Sequence, residues 1–445
     1  MTATDVQAAA ASGVDGSAVD FGDTRNGRRA LVLVIAVWAV VLALLLRHRE
    51  VLSSDTLSNY VHVWFIQDRM WHGHGVPFRM PILGHGQAFT FPYAFIPWMF
   101  GALLWPLFGE YAVGLSLGLG WLFLAAGTFY AFPELRRGWW AVAVLISPAL
   151  ITGVLLGQIP FLWASAMFLV AIASWRRGRR KTAIAFAALA QITHAAILMP
   201  LVGLVVLWRL CVEPQQRKRL LAAWLISIVP ALPAALIVFF SPVTEETSPL
   251  ISIWIEIETL VLRSLFLIVP LALVYLARRG DRKAPVYAVA GLLVFQLATI
   301  PVTSLRLGWG ALIRTPDPAS TAMAQSASIE SGKVYRVLAW GDRKWAPYSV
   351  VRRGGTLDSE LFPESLHWRS FYDEAEYAKF LTRRQVDVVL VQSKYHMYRT
   401  NEQALLDAMS AAGTCVGGVK VTTIDRTPHY TEYAVTRGCT TAQPA

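Results

Sequence analysis

The chain has 445 residues, of which 55% are hydrophobic and 16% charged, with a mean hydropathy of +0.46 and a formal net charge of +11. That balance excludes an ordinary soluble domain, and apolar runs near the ~20 residues needed to cross a bilayer recur along the chain. The basic surplus does not indicate a nucleic-acid groove, because its residues fall in short clusters between apolar runs rather than in one patch interleaved with exposed aromatics.

In chain order, residues 1–29 are rich in Ala, Ser, Gly and Asp and predict a disordered, cytoplasmic amino terminus. Arg25, Arg28 and Arg29 precede the first apolar run, Ala30 to Leu46. Only Arg47-His48-Arg49-Glu50 follows it, with no small-residue cleavage site, so an uncleaved anchor is expected. Residues 47–110 form a first outer loop crowded with Asp55, His62, Asp68, His72, His74 and His85.

Clusters of two or more basic residues mark cytoplasmic loops. Here they are Arg136-Arg137, Arg176-Arg177 with Arg179 to Lys181, Arg209 with Arg217 to Arg219, and Arg278-Arg279 with Arg282-Lys283. If Ala30 to Leu46 crosses outward, one net crossing remains before Arg136, yet two apolar runs intervene. Phe89 to Phe108 is the one that does not span: Pro92, Pro97 and Pro106 break it, and Phe91, Tyr93, Trp98 and Trp105 suit an in-plane interfacial helix.

Tyr111 to Phe132 then returns inward, Trp139 to Leu156 goes out, and Pro160 to Trp175 comes back, with Gly157-Gln158 at an outer turn. Thr182 to Trp208 is a hairpin of two short helices with its apex at Thr193-His194. Leu220 to Phe240, Leu260 to Ala277 and Pro285 to Leu305 follow, with Glu245, Glu246, Glu256 and Glu258 in an outer loop. About nine crossings result, in a transmembrane domain of residues 30–313.

Residues 314–332 read as a linker, and residues 333–445 as a small extracytoplasmic α/β domain. Val334 to Trp340 and Val386 to Val391 predict strands, and Asp373 to Arg384 a helix with acids first and arginines last, as its dipole favours. Val419 to Ile424 and Thr431 to Val435 alternate as a hairpin around Arg426-Thr427-Pro428. Cys415 and Cys439 lie at equal distance from Thr427, so they meet at its open end either as a disulfide, which needs a non-reducing compartment, or as two small hydrophobes. Cys211 has no partner on its predicted cytoplasmic side.

The layout, together with Ser54-Asp55, Phe91-Pro92-Tyr93, Gly157-Gln158 and Thr193-His194, resembles the GT-C class of polytopic α-helical membrane glycosyltransferases, which includes protein O-mannosyltransferases and aminoarabinose transferases. The resemblance covers mainly Ala30 to Trp208. It implies a sugar donor carried on a polyprenyl phosphate and an acceptor glycan, lipid or protein on the outer face of a plasma membrane. It also implies a first-loop acid near the acceptor hydroxyl, the role that Asp55 matches as base; the plain alternative is a helix cap.

His194, Gln158, Arg263, Arg306 and His62 are the candidates for substrate binding. His194 is an ionisable group at membrane depth, and Arg263 and Arg306 lie near the outer ends of their spans, where they either clamp a phosphate or snorkel to headgroups. The sequence departs from the class at Thr56, where several members carry a second acid, and at Gln158, where metal-using members carry a carboxylate. No metal or other cofactor is therefore expected, and the His72, His74 and His85 spacing fits no standard zinc site. The rival classes are a transporter, for which no internal repeat is visible, and a GT-C-like protein without activity.

Overall fold

The computed structural model describes residues 25–47, 56–77, 80–84, 94–233, 269, 271–279, 283–299, 325, 328–338, 345–358, 370–393 and 400–440. Asp55, His85, Arg263, Arg306, Ser54, the Phe91-Pro92-Tyr93 motif and the acidic loop lie outside the described residues, as do most of Leu260 to Ala277 and of the linker.

The helical part begins with α1 (Arg25–Leu45), α2 (Thr56–Trp71), α3 (Phe95–Phe108) and α4 (Tyr111–Ala131), followed by a 3₁₀ turn at Pro133–Arg136. Next come α5 (Trp139–Leu145), α6 (Pro148–Leu155), α7 (Ile159–Arg176), α8 (Arg180–Thr193), α9 (Ala195–Val212), α10 (Arg217–Ile228) and α11 (Ala284–Thr299). Among the described residues three helices are long and apolar enough to cross a membrane, within α1, α4 and α7, and a fourth is gained if the sharply bent α9–α10 pair is one span. α1 leaves Leu31, Val32, Ile35 and Val40 about half exposed or more, a face that only lipid tolerates over such a length.

Two elements differ from their sequence expectation. Trp139 to Leu156 is not one continuous span: it breaks at Ile146-Ser147, where Pro148 takes the first position of α6 and the free Ile146 carbonyl accepts from Gln296 Nε2 of α11 at 3.3 Å. Trp98 is not an interfacial residue but fully buried, because α3 lays it against α2. α3 itself has 14 residues, too short to span, and the N–H that Pro106 lacks in its last turn is replaced at the Ala102 carbonyl by Trp71 Nε1 at 3.2 Å.

Small residues let the helices approach closely, as association between membrane helices requires. Trp163 Nε1 donates to the Ser116 carbonyl at 2.8 Å, Gly120 lies under Trp163, and Arg177 Nη2 donates to the Tyr130 carbonyl at 2.9 Å, so α4 and α7 run in the same direction. Trp38 Nε1 reaches the Gly118 carbonyl at 3.0 Å while Leu45 abuts Gly114, so α1 runs against α4. The contacts of Thr193 with Met167 and of His194 with Phe161 set α8 against α7. These directions gather Arg136, Arg137, Arg176 and Arg177 at one end of the bundle, and Arg278 joins them through Glu134 at 2.8 Å. Gly157-Gln158 and Thr193-His194 lie at the opposite end.

The carboxy-terminal part is a five-stranded mixed sheet of order β2-β1-β3-β5-β4, made of β1 (Val334–Leu338), β2 (Thr356–Leu357), β3 (Val388–Gln392), β4 (Val419–Arg426) and β5 (Tyr430–Arg437). β1 pairs parallel with β2 and β3, and the β4–β5 hairpin adds antiparallel to β3. Helices α12 (Trp345–Arg352), α13 (Glu374–Arg383) and α14 (Glu402–Ala412) complete it, α13 capped by Asp373, which accepts from the Glu376 N–H at 2.8 Å. Cys415 and Cys439 are joined by a disulfide beside the open end of the hairpin.

Inside this domain Arg336 is buried with Glu402, which it grips with two nitrogens, and with Asp358 at 2.9 Å, over the Phe380 ring. Burial alone would lower the guanidinium's pKa, but the Glu402 and Asp358 carboxylates outweigh it and hold it well above normal.

Candidate functional site

The polar end of the bundle is assembled from four breaks in the helices. α2 carries two polar side chains, Asn59 and His62, one turn apart on the face that packs against α3. Trp98 Nε1 donates to Asn59 Oδ1 at 2.8 Å, and Asn59 Nδ2 in turn donates to the Gly157 carbonyl at 2.9 Å, which fixes the amide's orientation. The α2 helix is thereby tied both to α3 and to the α6–α7 corner.

His62 is 8% exposed and lies flat on Trp98, ring centroids 4.0 Å apart and 16° from parallel. Its Nδ1 is 2.6 Å from the Ser58 carbonyl oxygen, which can only accept, so Nδ1 carries the proton and Nε2 is the ring's acceptor. Burial pushes the imidazole pKa down to about 4, against a smaller upward pull from the Ser58 carbonyl. The ring is therefore neutral at physiological pH.

At the corner, Gly157 has φ +69°, the left-handed conformation that glycine adopts without strain, and the chain turns from α6 into α7 there. The Gln158 N–H bonds back to the Gly153 carbonyl at 2.8 Å. Its side-chain oxygen is buried without a hydrogen-bond partner among the described residues, and a buried acceptor of this kind calls for a donor from elsewhere. One turn on, Phe161 meets His194 edge to face, 6.5 Å between centroids.

His194 is buried at the break between α8 and α9, with φ −148° and ψ 75°. The neighbouring Thr193 carbonyl accepts from the Ala94 N–H at 2.8 Å, which anchors the start of α3. Ala94 pays for that position with φ +57°, unusual for a residue with a Cβ.

The breaks thus converge. Gly157-Gln158 and Thr193-His194 are brought to the same corner through Phe161, which meets His194 edge to face, and the residues that follow two further motifs, Thr56 after Ser54-Asp55 and Ala94 after Phe91-Pro92-Tyr93, begin the elements bonded to them. His62, Gln158 and His194 come together here, whereas Asp55, Arg263 and Arg306 lie outside the described residues. Asn59 and Trp98 went unnoticed in the sequence as site residues. Asn59 was detectable as an amide in a helix otherwise lined with Tyr60, Val63 and Ile66, but nothing local reveals that its partner is 39 residues away.

The carboxy-terminal domain docks at this same end. Tyr348 of α12 packs on Tyr60, 5.7 Å between centroids, and donates to Glu110 Oε1 at 3.4 Å, while Arg352 Nη1 pairs with the same oxygen at 2.6 Å. Residues 82–84 of the first loop add a short parallel bridge to β2: the Leu357 N–H donates to the Ile82 carbonyl at 2.9 Å and the Gly84 N–H to the Leu357 carbonyl at 3.0 Å. Among the described residues no three His, Cys, Asp or Glu side chains gather as a metal ion would need. His72 and His74 are exposed, and His72 is occupied with Asp68.

No family model and no curated protein matches the chain. Among solved structures it is similar to one described as ArnT from Cupriavidus metallidurans bound to undecaprenyl phosphate, with 12% identity and a TM-score of 0.49 over 92% of this chain and 98% of that one. A likeness of that degree assigns neither a family nor an activity.

Proposed function

We propose that the protein is an integral-membrane glycosyltransferase of the GT-C kind, which moves a sugar from a polyprenyl-phosphate donor to an acceptor on the face of the membrane away from the basic clusters. One observation carries the reading. The breaks at Gly157-Gln158 and Thr193-His194, and the starts of α2 and α3 that follow the other two motifs, are joined by hydrogen bonds at the end of the bundle opposite Arg136, Arg137, Arg176 and Arg177. By the positive-inside rule the basic end is cytoplasmic. The disulfide-bearing domain, docked at the other end, belongs in an oxidising compartment, which agrees with that orientation.

In this reading Asp55, the residue before α2, is the base that takes the acceptor's proton as positive charge develops at the anomeric carbon. The Gln158 oxygen offers an acceptor to sugar hydroxyls, His62 belongs to the same substrate-binding set, and His194 and the arginines Arg263 and Arg306 hold the donor phosphate. The stacked His62–Trp98 pair lines the site from the α2 side. Neither Thr56 nor Gln158 offers a carboxylate to a metal ion, so in this reading the transfer rests on Asp55 and the phosphate-binding residues.

The test is an Asp55→Asn variant in membranes supplied with radiolabelled polyprenyl-phosphate sugars. Loss of a base predicts a fall in transfer of about 10²- to 10⁴-fold, with partial recovery in Asp55→Glu. Full transfer by a well-expressed Asp55→Asn protein would remove the base, and no transfer by wild type from any donor would remove the enzyme.

A further inference from the structure

A second feature lies away from the polar end. α9 leaves His194 and ends at Val212, where the chain turns so sharply that its axis and that of residues 214–231 differ by 118°. The inside of this elbow is a hollow of about 680 Å³, the size of a small-molecule site. Its apolar walls include Leu204, Leu207, Trp208 and Leu221, three of them more than half exposed, and Arg217 and Lys218 stand at its margin.

The charges are what separate this hollow from ordinary lipid-facing surface. Arg217 is held in place by its Nε, which donates to the Leu210 carbonyl at 2.9 Å. Among the described residues neither Arg217 nor Lys218 is ion-paired, whereas Arg209, on the preceding helix, is neutralised by Glu213 at 2.7 Å. An apolar hollow ending in two unneutralised cations, with Trp208 at its edge, has the polarity of a lipid: chain inward, anionic headgroup at the interface.

We propose that the elbow binds one anionic phospholipid, an acyl chain in the hollow and the phosphate on Arg217 and Lys218. The proposal needs the chain to sit in a bilayer and is independent of any transfer reaction. Cytoplasmic-leaflet charge attracts such clusters by about 1 kcal/mol per basic residue, or about fivefold in affinity for each.

The full-length protein, stripped of lipid in detergent, is titrated with dioleoyl-phosphatidylglycerol or dioleoyl-phosphatidylcholine and the bound lipid is counted by native mass spectrometry. The expected result is a single phosphatidylglycerol adduct favoured roughly 30-fold over phosphatidylcholine. Lys218→Ala should cost about fivefold of that preference, Arg217→Lys should keep it, and Leu207→Trp, which fills the hollow without touching a charge, should weaken both lipids. Equal binding of the two lipids, or unchanged binding in Lys218→Ala and Leu207→Trp, overturns the site. Displacement by millimolar inorganic phosphate overturns the assignment to a lipid.

Discussion

Acidification should loosen the polar end through His62. Its pKa falls from the ordinary 6.5 to about 4 in the folded protein because the ring is sealed against Trp98. The sign follows from where the proton binds better. Between pH 6.5 and 4 the unfolded chain holds the proton and the folded one does not, so stability is complete above 6.5, falls through that interval, and changes no further below about 4. A gap of about 2.5 pKa units at 1.36 kcal/mol each gives roughly 3 kcal/mol at most. His62→Phe keeps an aromatic ring on Trp98 and removes the titration. From pH 7 to pH 4 in detergent, the thermal midpoint of wild type should therefore fall by a few degrees relative to that of His62→Phe. Parallel curves across that interval would show that His62 is not buried as a neutral ring, and the stacking that lines the site would fall with it.

Two further outcomes concern the parts that hold the site in place. Glu110 is 3% exposed and faces Arg352, whose side chain is about half exposed, so Arg352→Ala should cost only about 1–2 kcal/mol. Its clearer signature is faster proteolysis between the bundle and the carboxy-terminal domain, with Glu110→Gln/Arg352→Ala no worse than Arg352→Ala alone. In Arg336→Met the removal of a buried cation strands Glu402 and Asp358, and a loss of about 3–5 kcal/mol is expected, read as a collapse in folded yield.

How far the sequence could be read follows the range of the forces involved. The turn at Gly157 and the short α3 with its prolines are local: a residue free to take positive φ, or one without an N–H, marks them where they stand, whereas the break at His194 follows only from its place midway between two basic clusters. The cysteines' equal distances from Thr427 bring them to one end of the hairpin, a relation that survives the register shift between Thr423 and Asp425 because a displacement of a residue or two still leaves them side by side. The break inside residues 139–156 was missed although Pro148 announces it, because the run is apolar throughout and hydropathy is blind to backbone geometry.

By itself the sequence determined that this is a membrane chain with a water-soluble tail and which ends of its apolar runs carry positive charge, since each depends on residue chemistry over a few turns. Only the tertiary structure decided that four separate breaks share one polar end, that Asn59 and Trp98 bind them, and that α12 closes on Glu110 over Tyr60. Those pairings join residues from 39 positions apart, Asn59 and Trp98, to 288 apart, Tyr60 and Tyr348 (348 − 60). Their partners are chosen by which helix faces meet, and apolar periodicity marks a face without naming the face it will meet.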